Sequence, residues 1–161
     1  MADGSIAAPF DFLSYKIDKI EMNMEKKVGY LINNAPVFSE DINLSIKLRN
    51  TEKYVFEDGA SHYIGGLSTL IELIDKETKS VMLKGEFGIS GVFIAKEPVE
   101  KNAEENFARI NLPAILMPYL RASMTNTLSS AGFGTILFPL VNIYELAKNK
   151  NLPIIDHSAE N

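Results

Sequence analysis

The chain has 161 residues, of which 46% are hydrophobic and 23% charged, and its formal net charge at pH 7 is -5. This size and composition predict one folded domain and argue against a disordered, fibrous or coiled-coil chain. The negative net charge provides no large positive field for phosphate groups, so we expect no nucleic-acid partner. Cysteine is absent, which excludes disulfides, thiolate metal sites and cysteine nucleophiles and is compatible with the cytoplasmic location we predict.

Neither the N-terminus nor the longest uncharged stretch is predicted to reach a membrane. Residues 1–11 lack the basic start and the apolar run of a signal peptide, and we interpret them as a flexible arm. The uncharged stretch Ala122–Tyr144 is long enough to span a bilayer, but Gly132, Gly134 and Pro139 interrupt it. Such a segment lacks the sustained apolarity of a spanning helix.

The first two-thirds of the chain predicts strands. Apolar and polar residues alternate strictly from Ile42 to Arg49, which is typical of a half-buried strand. The polar connection 75–78 predicts that the two segments around it pair as antiparallel neighbours. Glycine inside the last of these segments indicates a bulge, a bend or a close backbone approach. The four predicted strands are Phe12–Met24, Val37–Arg49, Tyr63–Ile74 and Val81–Ala95, the first of them an edge strand.

The last third predicts helices, and its acidic start at Pro98–Phe107 is interpreted as a solvated first helix or the approach to one. A long amphipathic helix is expected from an Asn111 cap to Ala131, with a kink or a late start at Pro118 and an end at Gly132. A short helix is expected over Val141–Lys148, and residues 150–161 are expected to form a polar tail. The whole chain is therefore predicted to be a single domain of sheet followed by helices.

The inventory of catalytic groups is small. His62 and His157 are the only histidines, and no glycine-rich phosphate-binding spacing is present. We interpret His62 as a structural strand residue and predict no metal, no cofactor and no enzymatic activity. Methionine and phenylalanine are plentiful, which suits a promiscuous groove but is more often a sign of an ordinary core. A protein that recognises one specific partner and an enzyme built around His62 remain as alternatives.

Three segments of the last third resemble the SecB protein-export chaperone family. They are Leu112–Arg121 with its Pro-Tyr-x-Arg ending, Ser129–Phe133 around a glycine turn, and Phe138–Leu146 with its Pro-x-Val-Asn sequence. Their spacing agrees with the family, and the four predicted strands precede them in the same order. The resemblance extends from Phe12 to about Asn149 and is specific only in the helical third.

The resemblance implies an α+β fold in which a four-stranded antiparallel sheet is followed by helices packed on one side, assembled as a homotetramer that is a dimer of dimers. It implies an ATP-independent holdase that binds unfolded or nascent polypeptides and keeps them competent for export or assembly. By resemblance, the apolar client groove comprises Phe93, Ile94, Met117, Leu120, Met124, Phe133, Ile136, Phe138 and Leu140. Each of these side chains is equally well explained as core or as subunit interface.

The resemblance also suggests SecA, the translocation motor, as a partner. Export members dock it through acidic residues on the outer face of the sheet, where this chain offers Glu86. Lys19, Asn23 and Lys84 stand where acidic or apolar residues are expected, and they weaken the expectation of SecA docking. A family member dedicated to one partner, such as an antitoxin, is therefore the alternative.

Overall fold

A six-stranded sheet carries helices on one face. The computed structural model describes residues 9–25, 42–75, 77–134 and 136–157. The strands are β1 (Asp11–Met24), β2 (Ile42–Leu48), β3 (Glu52–Val55), β4 (Ser61–Ile74), β5 (Val81–Ala95) and β6 (Ile155–Asp156). The α-helices are α1 (Lys101–Asn106), α2 (Leu112–Leu128) and α3 (Ile143–Ala147), with π-helical turns at Phe107–Asn111 and Ser129–Phe133.

The sheet is mixed and larger than predicted. Its order is β1-β5-β4-β3-β6, and β2 also pairs with β4. The long strands β4 and β5 are antiparallel neighbours, as the polar connection between them predicts. The expectation of a four-stranded antiparallel sheet is wrong in two respects. The sheet also contains β3, which has four residues, and β6, which has two residues and lies parallel to β3. Strands this short carry too few residues to show a period of two.

Described residues near both ends of the chain contact the rest of the domain. Instead of a free tail over 150–161, Ile155 donates its N–H to the Thr51 carbonyl at 2.9 Å and His157 donates to the Lys53 carbonyl at 2.9 Å. The edge of β3 would otherwise leave these carbonyls unpaired, which is the physical reason that a short segment adds to it. At the other end, Phe10 stacks on Phe107 with ring centroids 3.8 Å apart, directly before β1. Residues 1–8 and 158–161 lie outside the described residues.

The alternation predicted for the second strand is confirmed where the structure describes it. Ile42 and Leu48 are buried and the side chains of Asn43 and Lys47 are exposed, so one face of β2 points to the core. Positions 37–41 of that predicted strand lie outside the described residues.

The predicted acidic first helix is found at Lys101–Asn106, and the long helix follows it without a break. Asn111 has φ -69° and ψ -45° and makes no side-chain cap, so the expectation of an N-cap there is wrong. Helical residues start at Lys101, and the π-helical turn at Phe107–Asn111 joins α1 to α2. Pro113 has no N–H to donate to the carbonyl four residues back, which accounts for an irregular turn at this point.

The predicted end of the helix is confirmed, and the last helix is shorter than predicted. Gly132 ends the helical segment with φ +100°, a conformation that glycine adopts without strain. The last helix covers Ile143–Ala147 rather than Val141–Lys148, and the Asn142 side chain caps it by accepting from the Glu145 N–H at 3.1 Å. Within the described residues, no helix combines the length and the apolarity that crossing a membrane requires.

The core lies between one face of the sheet and α2. The helix contributes side chains at steps of four residues, which keeps them on one stripe facing β4 and β5. The sheet contributes alternate residues of its two central strands. The fully buried members from α2 are Leu112, Leu116, Leu120, Met124 and Leu128, and those from the sheet include Tyr63, Leu67, Phe87, Ile89 and Phe93.

Candidate functional site: an apolar groove beside α2

The nine predicted groove residues do not form one surface. Seven of them are buried in the protomer: Phe93, Met117, Leu120, Met124, Phe133, Ile136 and Phe138. Ile94 is half-buried and, as the neighbour of buried Phe93 on β5, it points to the opposite face of the sheet. Leu140 is 90% exposed. The structure therefore assigns most of the predicted set to the core, where a client does not reach them in this conformation.

Three of those buried residues fill a slot at one end of the sheet. Phe133, Ile136 and Phe138 pack against side chains of β2, β4, β5 and α2. The remaining volume is about 10 Å³, at the lower limit of the space that one water molecule needs. The chain thus closes this slot with its own residues.

An open groove lies on another side of α2. It has a volume of about 780 Å³ and runs between α2 and the chain that returns to it before and within α3. Of the predicted residues, it includes Met117 and Leu140. Leu140 is 90% exposed and Tyr144 is 57% exposed, so apolar surface faces solvent here. We call it the α2 groove, lined by Ile110, Ala114, Met117, Pro118, Arg121, Leu140, Val141, Asn142, Ile143 and Tyr144.

Sequence reasoning missed two lining residues of this groove, Tyr144 and Arg121. Tyr144 and Arg121 belong to two of the three segments that carry the family resemblance, so the signal was present, but only the returning chain brings them together. Arg121 donates from Nη2 to the Pro139 carbonyl at 3.0 Å and so ties that returning chain to α2. Its guanidinium is the one charged group among the lining residues described.

A second exposed apolar surface follows β1. Tyr15, Ile20 and Met24 lie opposite Gly91, Phe87 and Leu83 of β5, on the face that carries the core, yet all three are exposed. Tyr119 of α2 extends the surface, with its ring centroid 4.5 Å from that of Tyr15. We call these four residues, Tyr15, Ile20, Met24 and Tyr119, the β1 shelf. In the part of the chain that the structure describes, β1 pairs only with β5 and leaves its other edge open.

The outer face of the sheet is polar and internally paired. Arg49 donates to both carboxylate oxygens of Asp18, at 2.6 and 3.0 Å, and its Nη2 donates to the Ser68 hydroxyl at 2.9 Å. The hydrogen bonds from Arg49 hold the pKa of Asp18 below its usual 3.8, against the opposing effect of partial burial. Ser90 also contacts the Asp18 carboxylate.

Glu86, the residue predicted to dock SecA, is already paired. Its carboxylate lies 2.9 Å from the Lys19 ammonium, and the resulting hydrogen bond raises the pKa of Lys19. Lys84 and Asn23 face each other across β1 and β5 nearby. Glu21 lies opposite Glu86 on β1, with its carboxylate 3.9 Å from the same Lys19 ammonium. Lysine therefore offsets part of the charge of these two carboxylates, and SecA docking through Glu86 stays a prediction.

Several other ionisable side chains form contacts between elements. Glu104 of α1 accepts from Lys53 at 2.6 Å and from the Tyr63 hydroxyl at 2.5 Å, and burial raises the pKa of Tyr63. His62 packs against Phe56, and His157 lies 3.1 Å from a Glu52 carboxylate oxygen. Among residues 9–25, 42–75, 77–134 and 136–157, no three acidic or histidine side chains cluster in a way that suits a metal ion.

The fold is similar to that of a known SecB-like chaperone, although the sequence identity is low. No protein-family model matches the chain. An uncharacterized protein of Methanocaldococcus jannaschii is 27% identical over 130 residues, which cover 77% of this chain and 78% of that protein. Among solved structures, the Mycobacterium tuberculosis SecB-like chaperone Rv1957, in complex with a ChAD peptide from the HigA1 antitoxin, superposes with a TM-score of 0.56 at 8% identity, covering 82% of this chain and 90% of that one. A Streptococcus agalactiae protein of unknown function gives a TM-score of 0.42 at 7% identity, covering 82% of this chain and 97% of that one. The likeness to Rv1957 confirms the predicted resemblance at the level of the fold.

Proposed function

We propose, from the SecB-like fold that this chain adopts, that the protein is an ATP-independent chaperone rather than an enzyme. It binds unfolded or nascent polypeptides and keeps them from aggregating. The observation that carries the proposal is the α2 groove, a mostly apolar groove of about 780 Å³ that is lined by two of the three segments that resemble SecB. An exposed leucine and an exposed tyrosine on its wall are the kind of side chains that an unfolded client covers.

The binding energies expected for such a groove suit a client that is held weakly at several sites at once. Each apolar client side chain that the groove buries contributes about 1.5–3 kcal/mol before the cost of ordering the client. Several grooves on one assembly hold one long chain tightly, because each bound segment raises the effective concentration of the next. Such binding needs no nucleotide and no sequence motif.

The β1 shelf supports the proposed assembly into a homotetramer. An open edge strand with exposed apolar side chains promotes uncontrolled association unless another chain covers it. A second copy on the shelf of Tyr15, Ile20, Met24 and Tyr119 covers both the strand edge and its apolar row. Two such pairs make the dimer of dimers that the resemblance implies.

A dedicated partner is the second candidate function. The observation that favours it is the solved complex of the similar fold, in which the SecB-like chaperone Rv1957 holds a peptide of an antitoxin. A dedicated member uses the same groove for one segment of one protein. The two candidates therefore differ in the range of clients, not in the site.

Light scattering tests the proposal. An unrelated denatured protein is diluted into buffer with and without the chaperone, in the absence of ATP. We expect wild type to suppress aggregation and Leu140→Glu to lose most of that effect, because a carboxylate at this position opposes the binding of apolar clients. Leu137→Glu is the matched control, since Leu137 is 75% exposed but does not line the α2 groove.

The outcomes separate the candidates. Suppression that survives Leu140→Glu would remove the α2 groove from the proposal. No suppression by wild type would refute the general holdase, and the dedicated partner would then be sought by co-purification with tagged wild type and with the Leu140→Glu variant.

A further inference from the structure

The α2 groove contains a half-buried cation that has no carboxylate partner in the described part of the chain. Arg121 makes its one side-chain hydrogen bond there to the Pro139 carbonyl, at 3.0 Å. Of the other part-buried cations, Arg49 is paired with Asp18 at 2.6 Å and Lys53 with Glu104 at 2.6 Å. Arg109 donates to the Asn106 side-chain oxygen at 3.3 Å and does not line the α2 groove. A guanidinium carries five N–H donors, so most of the hydrogen-bonding capacity of Arg121 is available to a ligand.

The surroundings of Arg121 are apolar. The lining residues beside it supply aliphatic and aromatic surface, and the Asn142 side-chain oxygen is already used to cap α3. Charge-assisted hydrogen bonds to a carboxylate are about twice as strong as neutral ones, and they strengthen where apolar walls exclude water. The groove therefore complements apolar side chains around one carboxylate.

Resting on the proposed function, we propose that the α2 groove selects polypeptide segments in which Asp or Glu lies between apolar side chains, with Arg121 as the specificity-determining residue. The net charge of -5 does not oppose this selection at close range. Fields from distant surface charges are screened within about 8 Å at physiological salt, whereas a pair formed inside the groove is screened much less. The local cation therefore governs the discrimination between acidic and neutral segments, while apolar burial supplies most of the affinity.

Fluorescence anisotropy with three labelled peptides tests this selection. The peptides share two Leu-Phe pairs and differ only in the central residue, which is Glu, Gln or Lys. We expect the Glu peptide to bind roughly 10-fold more tightly than the Gln peptide and the Lys peptide to bind most weakly. Arg121→Gln should bring the ratio between the Glu and Gln peptides close to one, and Arg121→Lys should keep part of it.

The control distinguishes the effect of the Arg121 charge inside the groove from the effect of the protein's net charge. Lys150→Gln removes the same positive charge at an exposed position outside the α2 groove and should leave the ratio unchanged. If Arg121→Gln weakens all three peptides equally, Arg121 only holds the returning chain through Pro139, and the selection is refuted.

The remaining outcomes distinguish the two proposals. Equal binding of all three peptides by wild type, together with suppressed aggregation, overturns the selection and leaves the holdase intact. Failure of every peptide to bind, together with unsuppressed aggregation, overturns the proposed function itself. If Arg121→Gln changes the mass of the assembly instead of the peptide ratio, the groove holds a second copy of this chain and the selection is overturned.

Discussion

At the scale of single residues, paired polar side chains connect elements that are distant in sequence. Arg49, at the end of β2, reaches Asp18 on β1, Ser68 on β4 and Ser90 on β5 across the outer face of the sheet. On the inner face, Glu104 connects α1 to the sheet by accepting hydrogen bonds from Lys53 and Tyr63. These contacts tie five strands and one helix to one another.

Asp18 should give the folded state an acid-sensitive contribution to stability. Its pKa is lower in the folded state than the usual 3.8, so the stabilisation is present above that value and disappears as the pH falls through the folded pKa. We expect Asp18→Asn to be less stable than wild type at pH 7 and to lose less of its stability on acidification below pH 4. Urea unfolding midpoints across this range measure the effect. Glu105→Gln, at an exposed carboxylate, should keep the acid dependence of wild type, and an Asp18→Asn curve parallel to wild type would contradict the assignment.

Glu104→Ala should destabilise the fold by about 3 kcal/mol, because it leaves a largely buried ammonium and a buried hydroxyl without their acceptor. The side chains of Lys53 and Glu104 are only 18% and 12% exposed, so water replaces the carboxylate poorly. Chemical denaturation measures the loss. Glu105→Ala, on the exposed side of the same helix, is the comparison, and similar losses for both variants would show that the buried cluster contributes little.

At the scale of elements, close backbone approach decides how the strands and α2 fit together. A Cβ on Gly66 would lie 2.1 Å from the Ile89 carbonyl oxygen, and one on Gly91 would lie 2.7 Å from a Leu116 methyl group. Gly91 therefore lets α2 rest on the sheet, and Gly66 lets β4 and β5 approach each other. The atom that a Cβ on Gly66 would meet belongs to the backbone, whereas the atom that a Cβ on Gly91 would meet is at the end of a side chain.

The two alanine substitutions should differ for this reason. Gly66→Ala is expected to cost about 3 kcal/mol or more, because the strand backbone must shift, while Gly91→Ala is expected to cost about 1 kcal/mol because Leu116 can change its rotamer. Thermal and urea unfolding of both variants test the difference. Equal losses, or a larger loss at Gly91, would mean that the helix contact is the more rigid of the two.

The stretch after Gly132 shows what an element without regular structure contributes. Ile136 and Phe138 are buried while Leu137 and Leu140 are exposed, so the chain fills the slot at the sheet end and presents apolar side chains to solvent. Substitutions such as Phe138→Glu would therefore damage the core first and report on folding. Leu140 is the position in this stretch at which binding and folding can be tested separately.

At the scale of the whole molecule, assembly should contribute to stability. Ile20 of the β1 shelf is 54% exposed. A second copy that covers this residue would bind only the folded state and would therefore stabilise it. We expect the melting temperature of wild type to rise with protein concentration and light scattering to give the mass of a tetramer. Ile20→Glu should lower the mass and remove the concentration dependence.

Val55→Glu is the matched control for that experiment, because Val55 is an exposed residue of β3, away from the β1 edge. It should keep the mass of wild type. An Ile20→Glu protein that retains the full assembly would place the subunit contact elsewhere on the molecule.

Local pattern predicted much of the fold but little of the site. The alternation around β2, the pairing of β4 with β5 and the helix end at Gly132 all depend on near neighbours in sequence, and all are found. β3 and β6 are too short to show a period, and the Asn111 cap failed because the irregular turn before Pro113 continues a helix that starts at Lys101. Of the nine predicted groove residues, only Met117 and Leu140 line the α2 groove.

By itself, the sequence determined the kind of protein: one α+β chain without cysteine chemistry, with apolar helical motifs that resemble SecB. Tertiary structure alone decided which apolar residues are core and which are open surface. The reason is physical, since a methionine or phenylalanine is equally suited to both, and its exposure depends on the element that packs against it. Leu120 faces the sheet and is fully buried, whereas Leu140 comes from a chain segment that returns beside the same helix and remains in solvent.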